Sequence, residues 1–167
     1  VAEAAESRGV TLAPDPIAAI EGAEVVISAV TAAVSHEALI PIAPALREGQ
    51  TVWDINSVSG ARKAGSSELI KTSGAGYLDM AVMAPVHPRG HRTPVFVAGD
   101  VAAAEPFLDR YTFAWEAVGE TPGQATSIKM IRSLFVKGLE ALSVQAMLAA
   151  READCFDRVY KSLSTSY

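Results

Sequence analysis

Cysteine is nearly absent from this sequence: Cys155 stands alone among 167 residues. A single thiol excludes an internal disulfide framework and fits a reducing compartment. Basic residues are also in short supply, with 14 Lys and Arg against 19 Asp and Glu, for a net charge of −5. Nucleic-acid binders usually carry a basic face, so that balance argues against one. Of only three histidines, His87 and His91 are four apart, but Pro88 and Gly90 oppose a helix there. No acidic or cysteine partner is near them either, so no metal site is expected. The longest apolar stretches are broken by polar residues, and no signal peptide is recognisable. Those absences predict a cytoplasmic protein with no membrane partner.

What the chain does have is alternation. Half of its residues are hydrophobic. Residues 2–8 read as a helix stopped by Gly9, with a short strand at 10–12. Asp15 caps a short helix with Pro16 in its first turn. Residues 24–30 form an apolar strand, 35–46 a helix ended by Gly49, and 51–55 a strand. A helix over 61–72 follows, then strands at 77–83 and 94–98, a helix at 102–111 and a strand at 113–118. Such a series with short connectors predicts an α/β fold, a parallel sheet with helices on both faces. From Thr121 onward the pattern is helical only, to about Asp154 and again over 156–163. The expected organisation is a sheet domain over 1–121 and the start of an all-α domain over 122–167. Cys155 in that helical pattern, and Met83, Trp53 and Trp115 in the strands, read as core residues.

The stretch Thr121-Pro122-Gly123-Gln124-Ala125-Thr126-Ser127-Ile128-Lys129 joins the two regions. Thr121 and Gln124 have capping-box spacing, and Pro122 suits the first turn. Ile128, Ile131, Phe135, Leu139, Leu142 and Ala146 recur at helical steps and predict one buried face. Lys129, Arg132, Ser133 and Glu140 fall on another, polar side, with Lys129 and Ser133 one turn apart. A cation and a hydroxyl on one rigid helix suit the handling of a small anion; a solvated helix face has the same pattern. Between Ser57 and Thr93, Arg62, Lys63, Lys71, Arg89 and Arg92 outnumber Glu68 and Asp79. That local excess fits an anion pocket as well as ordinary surface variation. His87 and Arg89 fit either a substrate loop or a surface turn.

Three motifs resemble the β-hydroxyacid dehydrogenases, the superfamily that includes 3-hydroxyisobutyrate and 6-phosphogluconate dehydrogenases. Residues 25–30 followed by Thr31 resemble its fourth Rossmann strand and the turn beneath the cofactor. Asp54-Ile55-Asn56-Ser57 is similar to the strand end that lies near the nicotinamide. Gly123 to Lys129 resembles the G-x-G-x-x-x-K catalytic signature, with Ala125 at the second glycine. Residues 78–90 and 129–140 are similar to an uncharacterised, phosphogluconate-dehydrogenase-like branch. The resemblance covers nearly the whole chain. It implies a partial Rossmann-like parallel sheet domain followed by a long helix opening an all-α domain.

Its functional implication is an NAD(P)-dependent oxidoreductase that transfers a hydride between a nicotinamide cofactor, NADP or NAD, and a small hydroxy acid or related anion. Lys129 is implied as catalytic acid/base. Val30, Thr31, Asn56 and Ser57 are implied as cofactor contacts; packing and turn roles for the first two, and helix capping for the others, stand beside that. Met83, Ala84 and Pro85 replace the superfamily's Ser-Gly-Gly substrate loop, and Ser133 replaces an asparagine, with Arg132 beside it to hold a carboxylate or phosphate. A homodimer through the helical domain is implied too. No G-x-G-x-x-G turn, which would hold the pyrophosphate, occurs in the sequence. With a non-methionine start inside a helix pattern and an end just after another helix has begun, that predicts a fragment, inactive alone, without the first β-α-β and most of the helical domain. The rival reading is a non-catalytic Rossmann-type module that binds a nucleotide or a partner.

Overall fold

The computed structural model describes residues 2–166; Val1 and Tyr167 lie outside the described residues. The elements run α1 (Ala2–Glu6), α2 (Pro16–Ile20), β1 (Val25–Ser28), β2 (Thr51–Asp54), α3 (Gly60–Lys71), β3 (Gly76–Val82), β4 (Val95–Gly99), α4 (Val101–Arg110), β5 (Trp115–Gly119), α5 (Gln124–Glu152) and α6 (Phe156–Ser166). Local chemistry sets several boundaries. Asp15 caps α2, its Oδ1 accepting from Ala18 N at 2.8 Å. Ser59 caps α3 by accepting from Arg62 N at 3.2 Å. Gly9 and Gly49 take up positive φ values where the preceding segments stop.

One five-stranded sheet has the order β1-β2-β3-β4-β5. The predicted α/β class holds, but the sheet is mixed, not parallel throughout. β1, β2 and β3 are parallel, β4 runs antiparallel to β3, and β5 is parallel to β4. The reason lies between β3 and β4. A parallel re-entry needs a crossover, usually helical, that returns the chain to the starting edge. Residues 83–94 hold only a 3-10 turn, Gly90–Arg92, so the chain doubles back from the edge it has reached. α4 then supplies a true crossover between β4 and β5.

Two other predicted elements are absent. Residues 35–46 form turns and a short 3-10 segment, Ala43–Ala45, in place of an α-helix. Pro41 and Pro44 explain this, since each lacks an N–H and disfavours helical backbone just before it. The apolar residues there still do their packing work: Leu39, Ile42, Ala43 and Leu46 join Ile20, Val52, Ile70 and Tyr77 in one buried cluster. Residues 10–12 form no strand, and Val10 and Leu12 are exposed with no ladder to join.

Alternation along the strands separates the two faces of the sheet. Trp53, Leu78, Met80, Val95 and Val97 point to the face covered by Ala104 and Leu108 of α4. Trp115 is only half-buried, its indole Nε1 donating to Asp109 Oδ1 at 2.9 Å. The opposite face carries Val52 and Tyr77, and also a polar row. Ser28 is registered with Asp54, Asp54 with Asp79, and Asp79 with Ala98. Ser28, Asp54 and Asp79 are all buried there.

The chain divides into two compact units, one reaching to Lys129 and a second starting at Met130. The first holds the sheet, its flanking helices and the first turns of α5. The second holds the rest of α5, then α6, in which the Phe156 and Tyr160 rings stack at 6.1 Å. Cys155 is half-buried at the start of α6 rather than in a core. The predicted apolar face of α5 is formed but not buried: Ile131, Phe135, Leu139 and Leu142 are exposed, as are Leu134 and Leu148. Nothing among the described residues covers it. By length and composition α5 is also apolar enough to cross a membrane, which corrects the expectation that no stretch is. A helix of a soluble helical domain passes that same test.

Candidate functional site: a lysine above a buried ionic network

α5 begins against the middle of β3 because a strand carboxylate caps it. Asp79 Oδ2 accepts hydrogen bonds from Gly123 N at 2.9 Å and Thr126 N at 3.0 Å. Its Oδ1 accepts from Thr126 Oγ1 at 2.8 Å. An anion at these orphan N–H groups also complements the helix dipole. Of the predicted capping box, the Gln124 half forms, its Oε1 accepting from Thr121 N at 3.0 Å. The hydroxyl half is replaced by Asp79, a partner far away in sequence.

The glycine and alanine of the Gly123–Lys129 motif now have physical reasons. Gly123 has φ +103°, and a Cβ there would stand 2.5 Å from the carbonyl oxygen of Gly60. Conversely, a Cβ on Gly60 would meet Ser127 Oγ at 2.5 Å and Gly123 O at 2.9 Å. Backbone therefore meets backbone where α3 and α5 start, and only glycine permits it. Ala125 is fully buried against Ala81 and Ala98 of the sheet, where a small side chain is needed.

Lys63 lies beneath this junction. It is fully buried on α3, with Nζ 2.9 Å from Asp54 Oδ1 and 3.5 Å from Asp79 Oδ1. Nζ also donates to the carbonyl oxygen of Asp54. Asp54 Oδ2 accepts from the Tyr77 hydroxyl at 2.7 Å. Burial, and then the Asp54 carboxylate, hold that phenol far above its ordinary pKa. Asp54 Oδ1 accepts from Asn56 N at 2.9 Å and Asn56 Nδ2 at 2.8 Å. Asn56 in turn donates to Ser28 Oγ at 2.9 Å and accepts from Val30 N at 2.8 Å.

This chain of contacts fixes the edge where β1 and β2 end. Val30 and Asn56, both expected at the site, are joined directly; Thr31 opens the exposed turn Ala32–Val34 beside them. Asn56 is buried and shapes the strand ends, so it acts as a brace rather than an open donor. Ser57 is exposed and accepts a hydrogen bond from Lys129 Nζ at 2.8 Å. Lys129 is half-buried, and its pKa is pushed below the ordinary lysine value, first by burial and then by the Lys63 ammonium. Met83 and Ala84, half-buried, and Pro85, exposed, follow the end of β3 at the same edge, with Met83 N donating to Pro94 O at 2.9 Å. Arg132, exposed, and Ser133, half-buried, belong to the second unit. His91 packs its ring edge-on against Phe113 at 5.7 Å.

Lys63, Asp54, Asp79, Tyr77 and Thr126 were given no site role from the sequence, although all but Tyr77 fall in its motifs or charge excess. A signal for them exists: two aspartates interrupt otherwise apolar strands, and Lys63, Ser66, Ser67 and Ile70 mark a buried helix stripe at three- and four-residue steps. A separate cleft of about 550 Å³ lies between Gly60, Ala61 and Ala64 on α3 and Pro122, Ser127 and Ile128. No ionisable group lines it.

No protein-family model and no curated protein matches the sequence. Solved structures do. A conserved hypothetical protein from Sinorhizobium meliloti 1021 is 38% identical with a TM-score of 0.79, over 98% of this chain and 55% of that one. The conserved protein MTH1747, itself described as structurally similar to 3-hydroxyacid dehydrogenases, is 31% identical with a TM-score of 0.80, over 99% of this chain and 62% of that one. An imine reductase from Myxococcus stipitatus in complex with NADP+ is 20% identical with a TM-score of 0.79, over 97% of this chain and 58% of that one, and it shows the fold alone. The chain thus spans between 55% and 62% of the length of these neighbours. By these likenesses the chain is similar over nearly its whole length to 3-hydroxyacid dehydrogenase-like proteins, the group its motifs resemble, and it shares their fold with the imine reductases.

Proposed function

We propose that the protein is a cytoplasmic NAD(P)-dependent oxidoreductase acting on a small hydroxy acid or a related anion, with Lys129 as its acid/base. The observation that carries this reading is Lys129 itself: a half-buried amine held by Ser57 at the strand edge, with a depressed pKa. A module that only binds has no use for a lysine whose ammonium is made less stable.

The strand edge suits the nicotinamide end of a dinucleotide. Ligands of open α/β sheets bind outside the carboxyl ends of their strands. Here the ends of β1 and β2 are pinned together through Asn56, and Val30 and Val34 leave apolar surface exposed beside Thr31. The pyrophosphate end has no glycine-rich turn in this sequence. Two neighbours with this fold are complexes with NAD+ and NADP+, which supports the cofactor class without choosing between them. When bound, the nicotinamide supplies hydride chemistry.

The chain's own residues supply the proton. In alcohol oxidation, neutral Lys129 accepts the proton from the substrate hydroxyl; in carbonyl reduction, its ammonium gives that proton back. Ser57 Oγ, accepting from Nζ, fixes where the amine points. Met83, Ala84 and Pro85 form a substrate wall at the end of β3 in place of a polar loop, and the substrate's anionic group is assigned to Arg132 and Ser133. The exposed apolar face of α5 forms the contact of a homodimer.

The test is dinucleotide-dependent turnover by the intact protein over a panel of hydroxy acids and phosphorylated sugar acids, with cyclic imines as the competing class. Turnover of a hydroxy acid with either dinucleotide supports the reading. Turnover of imines alone corrects the substrate class, and no dinucleotide-dependent turnover returns the protein to the binding-module reading.

A further inference from the structure

A fully buried cation is costly, and Lys63 is one. Its stem packs in α3 and its ammonium sits between two carboxylates that are themselves at most 1% exposed. A pair of this kind adds little to stability over a well-packed apolar cluster. Its position says more. Asp54 holds Asn56, and through Asn56 the turn at Val30, while Asp79 holds the first turn of α5 through Gly123 and Thr126. Lys63 is ion-paired to both aspartates, so the two halves of the proposed site meet at its ammonium.

We propose that Lys63 is a positioning residue for the proton-exchanging lysine: it clamps the Asn56–Ser57 strand end to the start of α5, the helix from which Lys129 reaches Ser57. The proposal rests on the functional reading above. The ionisable groups at the junction are Asp54 from β2, Tyr77 and Asp79 from β3, Lys63 from α3 and Lys129 from α5. Arg62, next to Lys63, bonds outward to Glu37 at 2.6 Å, and His36 contacts Ser66 at 3.1 Å. Two buried carboxylates therefore confront one buried and one half-buried lysine. The charge on Lys63 opposes protonation of Lys129.

That sign gives the test. The Lys129 amine is titrated by NMR in the protein labelled with 13C at the lysine ε carbon, Lys129→Met serving to assign the signal. Lys63→Met removes a repelling charge and leaves the carboxylates, so the Lys129 titration moves up towards the ordinary lysine value. Lys63→Arg keeps the charge and restores the depressed titration. If Lys63→Met does not fold, Lys63→Gln, neutral but still able to donate to the Asp54 carbonyl oxygen, decides: an upward shift upholds the proposal. Lys129 titration unmoved by every folded variant, or ordinary in the wild type, overturns it. The oxidoreductase reading is judged separately, by turnover. Shifted titration with no dinucleotide-dependent turnover leaves the Lys63–Lys129 coupling standing and removes the reaction assigned to it.

Discussion

At the scale of single residues, Asp79 carries the heaviest structural duty. It is the acceptor for three donors at the start of α5 and one of two anions facing Lys63. Breaking a buried pair by removing one partner costs about 3–5 kcal/mol, because the remaining charge is stranded. Asp79→Ala is therefore expected to destabilise the protein by roughly that amount in urea unfolding, and Asp79→Asn by less, since a carboxamide oxygen still accepts from Gly123 and Thr126. A loss of less than about 1 kcal/mol for Asp79→Ala would mean that the network matters little. Lys129 is expected to behave in the opposite sense. Its pKa is lower in the folded protein than in the unfolded chain, whose lysines titrate near about 10.4. Between those two values the unfolded state binds more protons, so stability rises with pH. Below the folded value the cost of charging the half-buried amine is fully present. Lys129→Met should consequently be at least as stable as the wild type at neutral pH, with the difference closing as pH rises through the unfolded value. A variant clearly less stable at neutral pH would contradict the direction of that shift.

At the scale of elements, the join between α3 and α5 is set by glycine. Gly123→Ala places a Cβ 2.5 Å from a carbonyl oxygen at a φ of +103°. Strained backbone of that kind costs about 1–3 kcal/mol, to which the clash adds. Thermal unfolding should show the loss in Gly123→Ala and not in Gly138→Ala, where added atoms meet open space. The same join explains what could be read from sequence and what could not. Strands such as Val25–Ser28 and Thr51–Asp54, and helices such as Gly60–Lys71, have periodicity and caps within their own residues, so they were legible. The helix over 35–46 was misread because its apolar spacing is helical while Pro41 and Pro44 forbid the hydrogen bonds. The direction of β4 was misread because alternation predicts strands but not whether a twelve-residue link returns the chain to its starting edge. At the site, Lys129 and Ser57 were legible from the motifs. Lys63 was not, because a lysine's burial depends on aspartates 9 and 16 residues away that only the sheet register brings together.

At the scale of the whole molecule, two features remain after the sheet domain is accounted for. Most of the large apolar residues of α5 between Ile131 and Leu148 are exposed in a single chain. A patch of that kind marks an interaction surface or an aggregation site. Sedimentation at micromolar concentrations should show a dimer, converted to monomer by Leu134→Asp with Phe135→Asp; a monomeric wild type would remove the dimer from the account. The other feature is the chemistry at the strand edge, on which the whole functional reading depends. The direct test is steady-state turnover of the intact protein and its Lys129→Met variant, at saturating dinucleotide, with the substrate identified by the panel. If Lys129 exchanges the proton, turnover falls by about two to four orders of magnitude while dinucleotide affinity stays near that of the wild type. Near-normal turnover in Lys129→Met would make the lysine an ordinary helix residue and contradict the account.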